Sequence, residues 1–277
     1  AGAVRVVDCL FERDSIAGAY FFLASDVTIH RSAIAGGIGN SAAGTSGVLA
    51  FDSRLTIWNS SIAAAGSYYG YPGRAGLVAT RSDIFLHGCS VRGGRGSNSF
   101  LDEFSCSPAR DGGSGIYATG PETIHVLDTV PVPGEGGSGS SCSTEPGESG
   151  SVIAGDAPMM RHPGESLDLD SPYLATEGTS VTVTASGAAG DIVLLGVGPM
   201  TRAQHLPAYV GDLFVSGPAG TPRRLLMGSG PTAELSLNMP ELPPMAIEHL
   251  YLQSLHLREG RVVAGPVRPL IVLDSGW

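Results

Sequence analysis

Apolar and polar residues in the first half of the chain follow one eight-residue phrase, repeated five times. The copies read VRVVDCLF (Val4 to Phe11), VTIHRSAI (Val27 to Ile34), LTIWNSSI (Leu55 to Ile62), IFLHGCSV (Ile84 to Val91) and TIHVLDTV (Thr123 to Val130). In the first four, positions one, three and eight are apolar. Alternation with a period of two puts positions one and three on one face of a short strand. Position eight lies beyond a bend and turns inward again. A second apolar run precedes each turn: Phe21 to Leu23, Val48 to Ala50, Leu77 to Ala79, Ile116 to Ala118 and Val152 to Ala154. Polar pairs such as Ser25-Asp26, Asp52-Ser53 and Ser82-Asp83 follow, and short polar side chains suit corners because they bond nearby backbone groups. The fifth copy is out of step by one residue, since Ile124 and Val126 carry its alternation. Either its register slips or it caps the stack.

The copies start 23, 28, 29 and 39 residues apart. Recurrence at that spacing predicts a solenoid, in which each repeat buries its apolar face only against its neighbours. Gly/Ser-rich stretches occupy one corner of the repeat: Gly36 to Gly47, Gly66 to Gly76, Gly93 to Gly115 and Gly134 to Gly150. Forty glycines in one chain argue for disorder when taken alone. Alternating with β-branched runs, they argue for turns between strands. Insertions on one edge of a solenoid build its binding or packing surface.

Phrases of the form V-x-V-x-x-C/S-x-F with GG-rich loops, as in Arg92-Gly93-Gly94-Arg95-Gly96 and Asp111-Gly112-Gly113, resemble the right-handed parallel β-helix family of secreted bacterial proteins. The resemblance covers Val4 to Gly155 and implies a right-handed parallel β-helix of about five coils. It names no activity, because that scaffold serves polysaccharide lyases, hydrolases, adhesins and passive surface proteins alike. Beyond Asp156 the glycine loops vanish and the phrases lengthen. Ser180 to Ala185, Asp191 to Gly196, Asp212 to Ser216, Ala233 to Leu237, His249 to Leu257 and Leu270 to Leu273 read as strands, which predicts an antiparallel β-sandwich. This half looks like the β-domain appended to many such secreted proteins. The expected class is therefore all-β, with a helix domain at 1–156, a sandwich-like domain at 157–277, and a linker around Pro158 to Pro163.

Charge narrows the partners. The net charge is −10, and all 16 basic residues are Arg. That balance disfavours nucleic acid and anionic membrane surfaces, and no apolar run is long enough to span a bilayer. The chain enters its first repeat directly after Ala1-Gly2-Ala3, with no recognisable signal peptide and no capping helix. An uncapped strand edge invites pairing. A second exposed-looking strand, Val267 to Leu273, with Trp277, closes the other end. Together these predict head-to-tail contact between copies, which makes a fibre where it does not close; the competing reading is that upstream coils or a cap precede Ala1 in a longer chain.

The four cysteines show no CxxC spacing. Cys106 lies ten residues before Ile116 and Cys142 ten residues before Val152, so both fall at one place in successive coils. Coils stack at about 4.8 Å, within disulfide range, so Cys106–Cys142 is the expected bond, and it points to an extracellular or cell-surface setting. Cys9 and Cys89 share a column three coils apart and are expected as free thiols. A Cys89–Cys106 pairing stays open, and needs the long loop to fold back.

Candidate chemistry is sparse. Asp26, Asp52 and Asp83 sit at one type of corner, where they serve either as turn residues or as a carboxylate cluster. Asp102, Glu103 and Asp111, with Glu145 and Glu148, crowd the two long loops and either bind calcium or form a solvated acidic surface. Position four places His30, Trp58 and His87 in one column, a ligand or assembly surface if exposed and a packing seam if covered. Tyr68, Tyr69 and Tyr71 make an aromatic loop tip suited to carbohydrate or protein contact. No catalytic residue and no obligatory cofactor is assigned. The expectation is a non-catalytic extracellular or cell-surface structural protein, assembling with itself into a filament. The alternatives are a polysaccharide lyase or glycoside hydrolase, or a carbohydrate-binding adhesin, on the same scaffold.

Overall fold

The computed structural model describes residues 3–11, 20–23, 26–38, 43–101, 105–140, 142–198, 200–205, 209–215, 223–226 and 231–276. The fold is all-β, with no helix among the described residues. The chain divides into two units, Ala1–Pro163 and Gly164–Trp277.

The first unit holds three parallel sheets. One contains, in order, Ala3–Val7, Asp26–His30, Arg54–Trp58, Asp83–His87, Ile124–Leu127 and Met159–His162. The second contains Leu10–Phe11, Ala33–Ala35, Ser61–Ala63, Ser90–Arg92 and Val130–Val132. The third contains Tyr20–Leu23, Val48–Phe51, Leu77–Thr80, Ile116–Thr119 and Ile153–Gly155. From Tyr20 onward the chain visits the third sheet, the first and the second in turn, crosses a glycine-rich segment and begins again. This is compatible with a β-helix-like fold.

The register follows the phrases. Val4 lies opposite Val27, Val27 opposite Leu55, Leu55 opposite Ile84, and Ile84 opposite Ile124. The fifth copy therefore reads from Ile124 rather than Thr123, and Pro131 takes the inward place opposite Val91. Met159 pairs with Ile124 and packs against the same core. The first unit thus runs past the expected boundary at 156, to Pro163. That strand escapes sequence reading because Met159 alone of its residues packs against the core.

Inward residues from the three sheets form one stack, including Val27, Ile29, Leu55 and Ile84 from the first, Ile34, Ile62 and Val91 from the second, and Val48, Leu77 and Ile116 from the third, all buried. Between the first and second sheets the backbone turns through a column of left-handed residues: Asp8, Arg31, Asn59, Gly88 and Asp128, with φ of 48°, 47°, 46°, 61° and 46°. Asp, Asn and Gly tolerate that region best. Directly after it runs a column of hydroxyls. Ser60 Oγ donates to the Trp58 carbonyl at 2.6 Å and accepts from the Ser32 amide at 3.1 Å. Ser32 and Thr129 repeat the device, with Ser32 Oγ accepting the Cys9 amide at 3.2 Å and Thr129 Oγ1 accepting the Cys89 amide at 3.0 Å. Each hydroxyl satisfies one amide that the bend removes from the sheets, and donates to a carbonyl that also accepts an amide from the neighbouring coil. Cys9 and Cys89 belong to this column and are in no disulfide, as expected; Cys89 is buried. Burial pushes the Cys89 thiol up to about 11.

The second unit carries a three-stranded antiparallel sheet of Asp168–Asp170, Ser180–Ser186 and Thr232–Asn238. A larger sheet runs Leu174–Thr176, Arg261–Leu273, Ile247–Arg258, Ile192–Gly198 and Arg223–Leu226. Its long hairpin closes through Glu259 and Gly260, both at positive φ (49° and 77°), the mirror-image turn that matches strand twist. The unit is not purely antiparallel as expected, because Leu174–Thr176 and Tyr209–Val210 both pair parallel with Arg261–Leu273. The final strand is also not exposed: Val267, Leu270 and Val272 are buried, since the strand is paired on both sides. Trp277 lies outside the described residues. In this unit Arg258 holds Asp191 at 2.7 Å, and His256 Nδ1 lies 3.4 Å from the same carboxylate. Burial still holds His256 down, to about 4.

Candidate functional site

The described residues of the glycine-rich segments in the first unit hydrogen-bond to one another, and that bonding builds the site. Two columns of backbone hydrogen bonds cross them. In one, Gly94 donates to Arg74, Gly113 to Gly94, Gly134 to Gly113 and Gly150 to Gly134, at 2.7–2.9 Å. In the other, Ser97 donates to Tyr71, Arg110 to Ser97, Gly137 to Arg110 and Gly147 to Gly137, at 2.8–3.1 Å. In every segment the two columns stand three residues apart. Three residues is one turn of a polyproline II helix, which makes no internal hydrogen bonds and so offers every amide and carbonyl sideways. Outgoing segments also bond to one another (Ser67 to Arg95, Gly96 to Glu135), as do returning ones (Gly73 to Asp111, Gly112 to Glu148). The result is a two-layer bundle of extended segments, with outgoing chains in one layer and returning chains in the other.

Glycine is required where the layers meet. A Cβ on Gly93 would overlap the carbonyl of Gly113, on Gly96 that of Arg110, and on Gly112 that of Gly134. Outward positions are free to carry side chains, and they recur every third residue. Arg92, Arg95, Asn98 and Leu101 are exposed while Gly93, Gly94, Gly96, Ser97 and Ser99 between them are buried. Cys106 and Cys142, the pair expected from the sequence, join the two longest segments with Cα atoms 5.6 Å apart.

Tyr68 to Tyr71 forms the tip of the shorter loop beside this layer. Tyr69 and Gly70 both have positive φ (51° and 81°), and the Tyr71 amide donates to the Tyr68 carbonyl at 3.4 Å. Tyr68 and Tyr69 are 55% and 71% exposed. The Tyr69 ring meets the Phe100 ring edge-on, with centroids 5.7 Å apart. Beneath them opens a cleft of about 370 Å³, lined by Gly66, Tyr68, Tyr69, Arg95, Asn98 and Phe100 among others. Among the described residues the Arg95 guanidinium is anchored through Nη2, to Asn98 Oδ1 at 3.1 Å and Ser138 Oγ at 2.9 Å. Sequence reading found the three tyrosines. It missed Gly66, Arg95, Asn98 and Phe100, for which the available signal was the three-residue spacing of Arg92, Arg95 and Asn98 within a glycine tract. Tyr71 sits on the returning segment, outside the cleft lining.

The other candidates stand elsewhere. His30, Trp58 and His87 do stack, with ring centroids 6.5 and 6.0 Å apart. All three are buried, so the column is a covered seam rather than an open surface. Burial, with His162 and His125 adding to it, drives His87 down to about 3. Phe85 and His125 stack at 4.4 Å, and His125 Nδ1 lies 3.0 Å from His162 Nε2; sequence reading singled out none of these three.

The corner carboxylates do not converge. Asp26 and Asp83 lie on either side of Arg54, and Arg54 pairs with Asp83 at 3.5 Å. Asp52 belongs to a different column and is gripped by Arg81 at 2.6 and 2.7 Å. Of the calcium candidates, Asp102 and Glu103 lie outside the described residues, and Asp111 accepts the Glu148 amide at 2.9 Å. Among the described residues no three His, Cys, Asp or Glu side chains come together as a metal site, and no helix is long and apolar enough to cross a membrane.

No family model matches the chain, and no curated protein does. Among solved structures it is similar to a superoxide reductase (neelaredoxin) from Ignicoccus hospitalis, at 11% identity over 39% of this chain and 81% of that one, with a TM-score of 0.23. A likeness at that level carries no argument about fold or activity.

Proposed function

We propose that the chain is a non-catalytic extracellular or cell-surface protein: a right-handed parallel β-helix with a sandwich-like C-terminal domain, whose glycine bundle is a rigid platform for display. The observation that carries this reading is the two-layer bundle itself, bonded across five segments and joined by Cys106–Cys142. Ordering so many glycines costs about 1–2 kcal/mol of backbone entropy per residue. A passive loop has no need of that outlay, whereas a surface that must hold its shape does. The disulfide favours an oxidising compartment. Asp52 and Asp83 are occupied in structural ion pairs, which supports a non-catalytic reading over a hydrolase built on these corners.

Native-state hydrogen exchange tests the platform. Amides of Gly94, Gly113, Gly134 and Gly137 should be protected about as well as those of the sheet strands. Exchange at unprotected rates would overturn the reading. Release of reducing ends or unsaturated sugars from a polysaccharide panel would overturn its non-catalytic part.

Self-assembly is a second reading. Ala3–Val7, Leu10–Phe11 and Tyr20–Leu23 are each the end strand of their sheet among the described residues, and such edges can template another chain. Filaments in negative-stain micrographs at high concentration would support it, and monomers alone would count against it.

A further inference from the structure

We propose that the cleft between Tyr69 and Arg95 binds the acidic end sugar of a glycan, one pyranose face against tyrosine and its carboxylate on the Arg95 guanidinium. The proposal rests on the bundle being a rigid platform, and three independent features of the cleft carry it.

Gly66 is the first. Most glycines in the bundle interior face a carbonyl that a Cβ would strike. Gly66 does not: the nearest atoms to a Cβ there would be Arg95 Cβ at 3.8 Å and Arg95 O at 3.9 Å, an ordinary contact, and its φ lies outside the left-handed region. Packing does not require glycine at this position. The missing side chain leaves a notch in the outward row, directly beside Arg95 and below the tyrosine tip.

Tyr69 is the second. A bulky aromatic at φ 51° occupies a region that L-residues enter only under steric strain. Glycine or asparagine would make the same turn without that strain. Tyr69 is nevertheless there and largely exposed, with its ring held edge-on by Phe100. Strain kept at an exposed position points to use, and a fixed tyrosine face suits an amphipathic ring.

Arg95 is the third. Among the described residues no acidic side chain lines the cleft, and Nη2 makes the only hydrogen bonds of this guanidinium, both to neutral oxygens. Nε and Nη1 remain as separate donors, each able to give one charge-assisted N–H···O bond to an incoming carboxylate. The volume, near the small end of the roughly 300–1,000 Å³ of ligand pockets, suits a terminal sugar better than a long run of polymer.

Titration calorimetry with 3′-sialyllactose, methyl β-glucuronide and lactose tests the assignment. At least one acid-bearing sugar should bind at least tenfold more tightly than lactose. Arg95→Gln should abolish that preference. Gly66→Val should block binding without lowering the melting temperature. Tyr69→Asn should cost at least tenfold in affinity while leaving the melting temperature equal or higher, which separates a binding role from a packing role. Equal affinity for lactose, no binding of either acid, or binding indifferent to Arg95→Gln overturns the proposal. If none of the sugars binds while the bundle amides stay protected, the cleft assignment fails and the platform stands; unprotected amides sink the platform itself.

Discussion

The Gly113 amide donates to the Gly94 carbonyl at 2.8 Å, and neither residue can carry a Cβ without striking backbone. Gly113→Ala should therefore destabilise the first unit by about 1–3 kcal/mol, the usual cost of overpacking. Gly66→Ala, where a Cβ would meet Arg95 only at ordinary contact distance, should change stability by less than about 1 kcal/mol, in the stabilising direction. Chemical denaturation of the two variants side by side checks the contrast. Equal losses would mean that the layers do not pack as described.

Reduction of Cys106–Cys142 should loosen the bundle more than the sheets. The bond closes a loop of 36 residues, for which the chain-entropy argument gives about 3–4 kcal/mol. Cys106→Ser with Cys142→Ser should lower the unfolding midpoint, and should raise hydrogen exchange at Ser97, Arg110 and Gly137 before it does so at Ile57 or Leu86.

The hydroxyl column predicts a graded series at Ser60. Its Oγ serves both the Trp58 carbonyl and the Ser32 amide. Ser60→Ala leaves the buried Ser32 amide without that acceptor and should cost about 1–3 kcal/mol. Ser60→Thr should retain most of the stability, because Thr129 fills the same place in a later round with the same two bonds. Thermal melts of the two variants decide the matter, and a threonine variant as weak as the alanine would refute the shared role.

Stability should fall with acid. His87 is held near 3 and His256 near 4, against an ordinary value of 6.5, chiefly by burial. The unfolded chain then binds more protons than the folded one below pH 6.5, so stability is lost progressively as pH drops from there toward the folded values. Glu177 acts in the same sense lower down. Amides of Leu242 and Ser275 hold it near 2, so its contribution is present above its ordinary 4.5 and disappears below that. For His87 alone the loss is about 2 kcal/mol by pH 5. His87→Leu should flatten the slope for the first unit while keeping its fold, since Leu127 occupies the adjoining place in the same column. Melting temperatures measured from pH 7.5 to 4.5 report it, and an unchanged slope would show that His87 is not what titrates.

The order of residues was enough to set the pairing of the first unit. Apolar residues at positions one, three and eight of the phrase can be buried only if copies lie in register, so Val27, Leu55 and Ile84 had to become neighbours, and the two serine-flanked cysteines with them. Local alternation writes that much into the order of residues. It did not show Met159 as one more rung, because a strand with a single inward residue has no period to read. Nor could it show that His30, Trp58 and His87 are covered, since burial of an outward face depends on what else folds over it. The cleft is likewise a tertiary product. Gly66, Tyr69, Arg95 and Asn98 come from two separate glycine tracts, and only the sideways hydrogen bonding of extended segments, three residues to the turn, places them around one space.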